Sequence, residues 1–330
     1  MRVFLALTVS SVIAIFISSA RADDPSAPAD NTGLSIQPNY LADASPAPAK
    51  GPPLPFHDIE GYGGGAITPI AYLVNATPHI DGFLGYPAVA GSYVNLGEKN
   101  LVALTATETL FGRVELGYGA DRLDLGRLPN RIQKATGVDI DTNDVWLNNF
   151  NLRVLALPEN SFNEPFLPAI TGGVHLKYND GISSINNKLG DALGKIGYKD
   201  DYGFDFTLTA SKMLPKLAFG RPVIVTVGGR ESDAEQIGAL GFSRDYTSSF
   251  EGNIVYLPTN WLVLAYEFRQ KNNTYGQIPG LIGKEGNWNA FDTSLILGDS
   301  TTLVLGYGIF GNLADSKANS AWWLQLKYEF

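Results

Sequence analysis

Three histidines, His57, His79 and His175, are the only imidazoles in the chain, and only His175 sits in a regular pattern, "ITGGVHLKYND", two residues from Lys177. A hydrolase of the outer-membrane phospholipase type would need a serine on a neighbouring strand and an Asn or Asp to orient the ring. Ser211, Ser248, Ser249 and Ser294 are available, but no motif selects one. A histidine satisfied inside a polar interior is the plainer reading, so no catalytic residue is assigned. A second cluster, "DIDTND", places Asp139, Asp141, Asn143 and Asp144 in the rhythm of a calcium loop. The sixth position is Asp144 instead of a turn-making glycine, and the twelfth is Phe150 instead of a bidentate glutamate. These four are weak metal candidates, a solvated acidic loop accounts for them, and no cofactor is expected. "GYGGG" at 61–65 lacks the following helix and lysine of a phosphate loop, so its glycines are assigned to a tight turn or a close backbone approach.

The richest chemistry lies in charges that recur at alternate positions of apolar stretches. Arg113, Glu115, Arg153, His175, Lys177, Asp205, Arg230, Glu251, Glu267, Arg269, Asp292 and Lys327 all fall opposite large apolar residues. Successive side chains of an extended strand point to opposite faces, so period two puts these groups on one side of a sheet. In "WLVLAYEFRQK", Leu262, Leu264, Tyr266 and Phe268 oppose Glu267, Arg269 and Lys271; "RVELGYGAD" and "YGFDFTLTAS" alternate in the same way. The pattern is weakest in "PAVAGSYVNL" and "LVALTATETL".

The end of the chain, "WWLQLKYEF", alternates most strictly, with Trp322, Leu324, Leu326, Tyr328 and Phe330 on one face. Apolar faces rich in aromatics, opposite faces rich in charge and a terminal Phe suit a barrel in lipid with a polar interior. The expected fold is all-β: a transmembrane antiparallel β-barrel of twelve strands, or fourteen, closed by the C-terminal aromatic strand, because strands cross lipid only when every backbone group is paired. Those five terminal residues are the expected signal for the barrel assembly machinery.

The remaining features agree. Residues 1–22 read as a signal peptide ending in Ala20-Arg21-Ala22, residues 23–55 as a Pro/Ala-rich periplasmic linker, and residues 56–330 as the barrel. The sequence has no cysteine, and its net charge of −9 argues against a nucleic-acid partner. Counting back from a periplasmic C-terminus, short connections ("GDST", "PTN", "PKLAFGR", "LFG") alternate with long ones, two of which read as short amphipathic helices; "NSFNEPFLPA" is a longer exception among the short set. The stretch "IEGYGGGAITPIAYLVNATPH" is left with two readings, an extra hairpin or a plug crossing the lumen.

"EGYGGGAITPIAYLVN", "TETLFGRVELGY", "DVWLNNFNLR", "EGNIVYLPTNWLVLAYEFRQK" and "AWWLQLKYEF" resemble domain-of-unknown-function family 3034, proteobacterial membrane proteins, over about Ile59 to Phe330. The resemblance implies a membrane barrel and carries no known activity, so no functional residue comes from it. Expected partners are outer-membrane lipid, the assembly machinery and small solutes, in an outer-membrane, multi-pass protein with both termini periplasmic. The leading functional expectation is a channel or facilitator; a lipid enzyme and a structural or adhesive barrel are the alternatives. The interior charges admit two cases: the field of a water-filled pore, or pairs that seal a polar core.

Overall fold

The computed structural model describes Leu54, residues 56–74 and residues 83–330. The expected signal peptide, residues 1–22, and the expected linker, residues 23–55 apart from Leu54, lie outside the described residues. Strands β1 (Ala88–Asn95), β2 (Asn100–Leu110), β3 (Val114–Asp124), β4 (Asp144–Leu157), β5 (Ala169–Asp180), β6 (Tyr202–Ala218), β7 (Arg221–Ala234), β8 (Phe242–Tyr256), β9 (Leu262–Arg269), β10 (Trp288–Leu297) and β11 (Thr301–Ile309) follow one another around the wall. A two-residue hairpin, β12 (Asn312–Leu313) with β13 (Ser316–Lys317), decorates the last loop before β14 (Ala321–Glu329). Each of the other strands pairs antiparallel with its neighbours, and β14 closes the barrel of twelve on β1, from Ala88 opposite Glu329 to Asn95 opposite Trp322.

Alternation in sequence becomes inside and outside in space. On β14, Trp322, Leu324, Leu326 and Tyr328 are 43–55% exposed, while Trp323, Gln325, Lys327 and Glu329 are buried. Leu104, Leu152, Phe206, Phe250, Phe291 and Leu305 continue that exposed apolar surface around the wall. An exterior of this kind needs an apolar solvent, and pairing every strand on both edges removes the unpaired backbone that lipid would penalise. The weak alternation of β1 and β2 has a physical reason: their interior positions are the small residues Ala88, Ala90, Ser92, Ala103, Thr105 and Thr107, which leave room for another piece of chain.

That piece is residues 56–74, so the described part of the upstream stretch is a plug and adds no hairpin to the wall. It is buried from end to end inside the barrel. The short connections lie at the end of the barrel where β14 finishes: residues 111–113, 219–220, 257–261 and 298–300, with the longer 158–168 among them. At the other end, residues 125–143 and 181–201 carry the helices Leu128–Thr136 and Ile182–Lys188. Between β7 and β8 the connection at this end is only 235–241. Arg113 is a correction: it was expected on the interior face, but it is exposed in the β2–β3 turn, where its N–H is bonded to Leu110 O at 2.9 Å. The strand's alternation starts one residue later, at Val114, so parity does not govern its direction.

A closed wall of this kind resists detergent until it is heated. The folded protein is expected to migrate faster on an unheated gel than after boiling, with a β-type far-ultraviolet spectrum; equal mobility in both lanes would contradict closure.

Candidate functional site

The interior is organised around one carboxylate of the inner segment. Glu60 Oε1 lies 3.1 Å from Lys177 Nζ and 3.0 Å from Arg269 Nη1, and its Oε2 lies 3.3 Å from Arg230 Nη1. The wall adds two more carboxylates: Asp205 Oδ2 meets Lys177 at 2.8 Å and Arg230 at 2.7 Å, and Glu251 Oε2 meets Arg230 Nε at 3.1 Å. Counting direct ion pairs, the wall sets Lys177, Arg230 and Arg269 against Asp205 and Glu251, one cation in excess. Glu60 supplies the missing negative charge. All six side chains are at most 3% exposed, where an uncompensated ion is costly.

Register explains why they meet. Glu251 faces Arg269 directly across β8 and β9, His175 faces Asp205 across β5 and β6, and Thr207 faces Arg230 across β6 and β7. Tyr62 fills the space beside the belt, donating to Glu60 at 3.0 Å, accepting from Arg230 Nη2 at 2.9 Å and packing its ring 4.7 Å from that of His175.

The other interior groups hold the backbone of the inner segment. Glu115 accepts from Gly63 N at 3.0 Å and Val74 N at 2.8 Å, and Arg153 joins Glu115 at 2.8 Å while donating to Gly63 O at 2.6 Å and also to Ile70 O. Glu267 accepts from Ala66 N at 2.7 Å, Ile67 N at 3.2 Å and the Thr68 hydroxyl. Lys327 donates to Leu54 O at 2.8 Å, and Gln325 brackets His57 by accepting from its N–H and donating to its carbonyl. Asp292 is buried and accepts from Trp323 Nε1 at 3.1 Å.

Close approach requires glycine at two places. A Cβ on Gly117 of β3 would stand 2.0 Å from Gly61 O, and one on Gly65 would stand 2.1 Å from Glu267 Oε2. The glycines of "GYGGG" and of "ELGYGAD" are thus two sides of one contact.

His175 has a definite pair of partners. Asn151 Nδ2 donates to Glu60 O at 2.7 Å and Gly61 O at 3.1 Å, so its Oδ1 accepts from His175 Nδ1 at 2.7 Å. The second ring nitrogen then accepts the Thr207 hydroxyl at 2.9 Å. Orienter, base and hydroxyl are in line, but the imidazole is fully buried beneath Tyr62. None of the four serines considered for this role is the partner.

The acidic loop does not gather around a point. Asp141 pairs with Lys188 at 2.7 Å, Asp144 pairs with Arg122 at 2.6 Å, Asp139 accepts from Asp141 N, and Asn143 contributes its carbonyl to Leu125 N. In the loops above the barrel, Glu235 accepts from Thr274 N at 2.9 Å and Tyr275 N at 3.2 Å, tying two loops together. Burial, followed by the charge of Glu285, raises its carboxyl above the usual range.

Residues 55–327 match the family described as "Protein of unknown function (DUF3034)". The chain belongs to this family. The match includes the inner segment and the wall together. No curated protein matches the sequence. Among solved structures the chain is similar to the KdgM porin (9% identity, 74% of this chain and 99% of that one, TM-score 0.45) and the NanC porin (11%, 74% and 98%, TM-score 0.43). It is also similar to the Salmonella typhi outer membrane phospholipase (9%, 74% and 90%, TM-score 0.33).

Two substitutions test the seat of the inner segment. Glu60→Gln removes the carboxylate that three buried cations share, a penalty of about 3–5 kcal/mol on the seated state. Gly117→Val suits a strand but cannot coexist with Gly61 O. Both variants are expected to keep the heat-dependent gel shift while residues 56–74 become open to protease; full protection in both would show that the segment is not held by these contacts.

Proposed function

We propose that this protein is an outer-membrane channel or facilitator for small solutes whose lumen is closed at rest by residues 56–74. The observation that carries this reading is the way the interior is filled. A barrel that needs only a core can fill it with its own side chains. Here the filling is a separate stretch of chain, packed against the wall at its apolar ends and joined to it through polar contacts between them: Glu60 to Lys177, Arg230 and Arg269, and backbone groups to Glu115, Arg153, Glu267 and Lys327. Buried ion pairs add less net stability than apolar packing of the same volume, which suits a contact that must be undone. A Pro/Ala-rich tether upstream would let such a segment leave without unfolding the wall.

The same reading places both termini in the periplasm, on the side of the short turns, and gives Trp322, Leu324, Leu326, Tyr328 and Phe330 to the assembly machinery as a signal. Phe330 is tied back by its N–H to Pro87 O at 3.0 Å, so the end of the chain is part of the seam. A lipid hydrolase has one observation in its favour, the line of Asn151, His175 and Thr207. Its position inside the wall, under Tyr62, keeps lipid from it.

Planar-bilayer recording tests the proposal. The intact protein is expected to be closed or rarely open, whereas deletion of residues 56–74 or reversal of Glu251 and Glu267 to Lys gives steady conductance, with the reversed pore shifted toward anions. A deletion variant that keeps its heat-dependent mobility and never conducts would overturn the channel reading.

A further inference from the structure

Between the charged belt and the tips of the long loops, the interior turns apolar and is not completely filled. An outer cavity of about 160 Å³ lies within the loops, walled by Leu128 and Ile132 of one helix, Ile185 and Leu189 around the other, and Leu281 and Ile282 of the loop after β9. Thr136 is the polar side chain of its lining, and its hydroxyl is already donated to Ile132 O at 2.8 Å. An inner cavity of about 60 Å³ lies inside the top of the barrel, over Ile59 and Ile67 of the inner segment. One side of it is an aromatic wall, with Trp288 and Phe310 ring centroids 5.0 Å apart and Phe310 and Trp323 5.8 Å apart. Val145 and Ala239 border both cavities.

Volume and lining specify the occupant. An apolar cavity of about 150 Å³ lined by Leu, Ile and Phe stays dry and takes a benzene-sized guest. The outer cavity has that size and that chemistry. Left empty, such a void lowers stability in proportion to its volume, and one more methylene from any of several flanking leucines or isoleucines would shrink it. Sugars and other polar solutes would find no donor or acceptor there. Leu189, Ala192, Val138 and Leu281 are partly exposed, so the outer cavity has an edge toward the surroundings.

The inner cavity adds a second, independent feature. Asp121 Oδ1, Gln236 Nε2 and Trp288 Nε1 are buried atoms without a hydrogen-bond partner, and all three residues line it. Buried polar atoms are rarely left so, and these offer one acceptor and two donors within an otherwise apolar chamber.

We infer that the outer loop-side cavity is a binding site for a small apolar molecule of single-ring size, and that the inner cavity above Ile59 and Ile67, too small for such a ring as it stands, admits it only when the inner segment moves. Passage beyond that point rests on the facilitator reading, since the inner segment must move; binding itself does not. The solute class follows from the cavities, and the charged belt then acts as the closed gate beneath a loaded site.

The test uses the full chain folded in lipid nanodiscs, with benzene as probe. Benzene is expected to raise the temperature of the heat-dependent gel transition by several degrees in the unaltered protein, as a ligand of the folded state must, while glucose leaves it unchanged. Ala192→Trp and, separately, Val138→Trp fill the outer cavity from its edge and should abolish the benzene shift; two positions guard against one variant failing to fold. No shift in the unaltered protein, or an equal shift in both filled variants, overturns the inference, the latter because benzene would then act through the lipid. A benzene shift in a protein whose deletion variant never conducts leaves the binding site standing and removes the channel reading. Steady conductance without any benzene shift does the reverse.

Discussion

Glu60 is the one carboxylate among the described residues that pairs directly with all three cations of the belt. Lys177, Arg230 and Arg269 come from three strands and converge where Asp205 and Glu251 are the wall carboxylates in direct ion pairs with them. In a medium as poorly polarisable as this interior, one unmatched cation outweighs many neutral contacts. The remaining geometry of the inner segment follows from seating that carboxylate. Tyr62 must lie against His175, Gly61 must pass within touching distance of Gly117, and Asn151 must turn its amide toward the segment's carbonyls. The orientation of Asn151 in turn sets which nitrogen of His175 donates, so even the Asn151–His175–Thr207 line is a consequence of the inner segment.

The interior is layered along the barrel axis, and the layers have different physics. At the short-turn end, Phe56, Ile70, Leu73 and Val74 of the inner segment pack with Leu155, Ile224, Leu257 and Val263 of the wall as an ordinary apolar core. The ionic belt follows, then the apolar layer around Trp288, Phe310 and Trp323, and finally the loop core formed by Leu128, Ile132, Ile182, Ile185 and Tyr275. The two apolar ends isolate the belt from water on both sides, which strengthens its pairs and makes any single loss felt throughout.

Much of this was legible in the amino-acid order. Period-two alternation, the aromatic terminal strand and the parity of short and long connections each depend on residues near one another in sequence, and together they pointed to twelve strands, with fourteen left open, and to the closing seam. Interior position could be read for Glu115, Lys177, Arg230 and Lys327 because strand geometry alone decides it; it failed for Arg113 because a turn residue obeys no such parity. The glycines of "GYGGG" were rightly tied to backbone proximity, but the stretch left a hairpin and a plug equally open.

The tertiary structure alone decided what fills the lumen and what it is filled against. Glu60 carries no local signal: it is one acidic residue before a run of glycines, and its three cationic partners lie 117, 170 and 209 residues away. Charge balance in a closed interior is a sum over the whole circumference, so no stretch of sequence reveals which carboxylate is needed. The same holds for the outer loop-side cavity, whose walls come from four loops that meet only after the barrel has closed. Alternation along a strand told where each side chain would point; only closure brought those directions to one place and made their charges, volumes and missing partners count against each other.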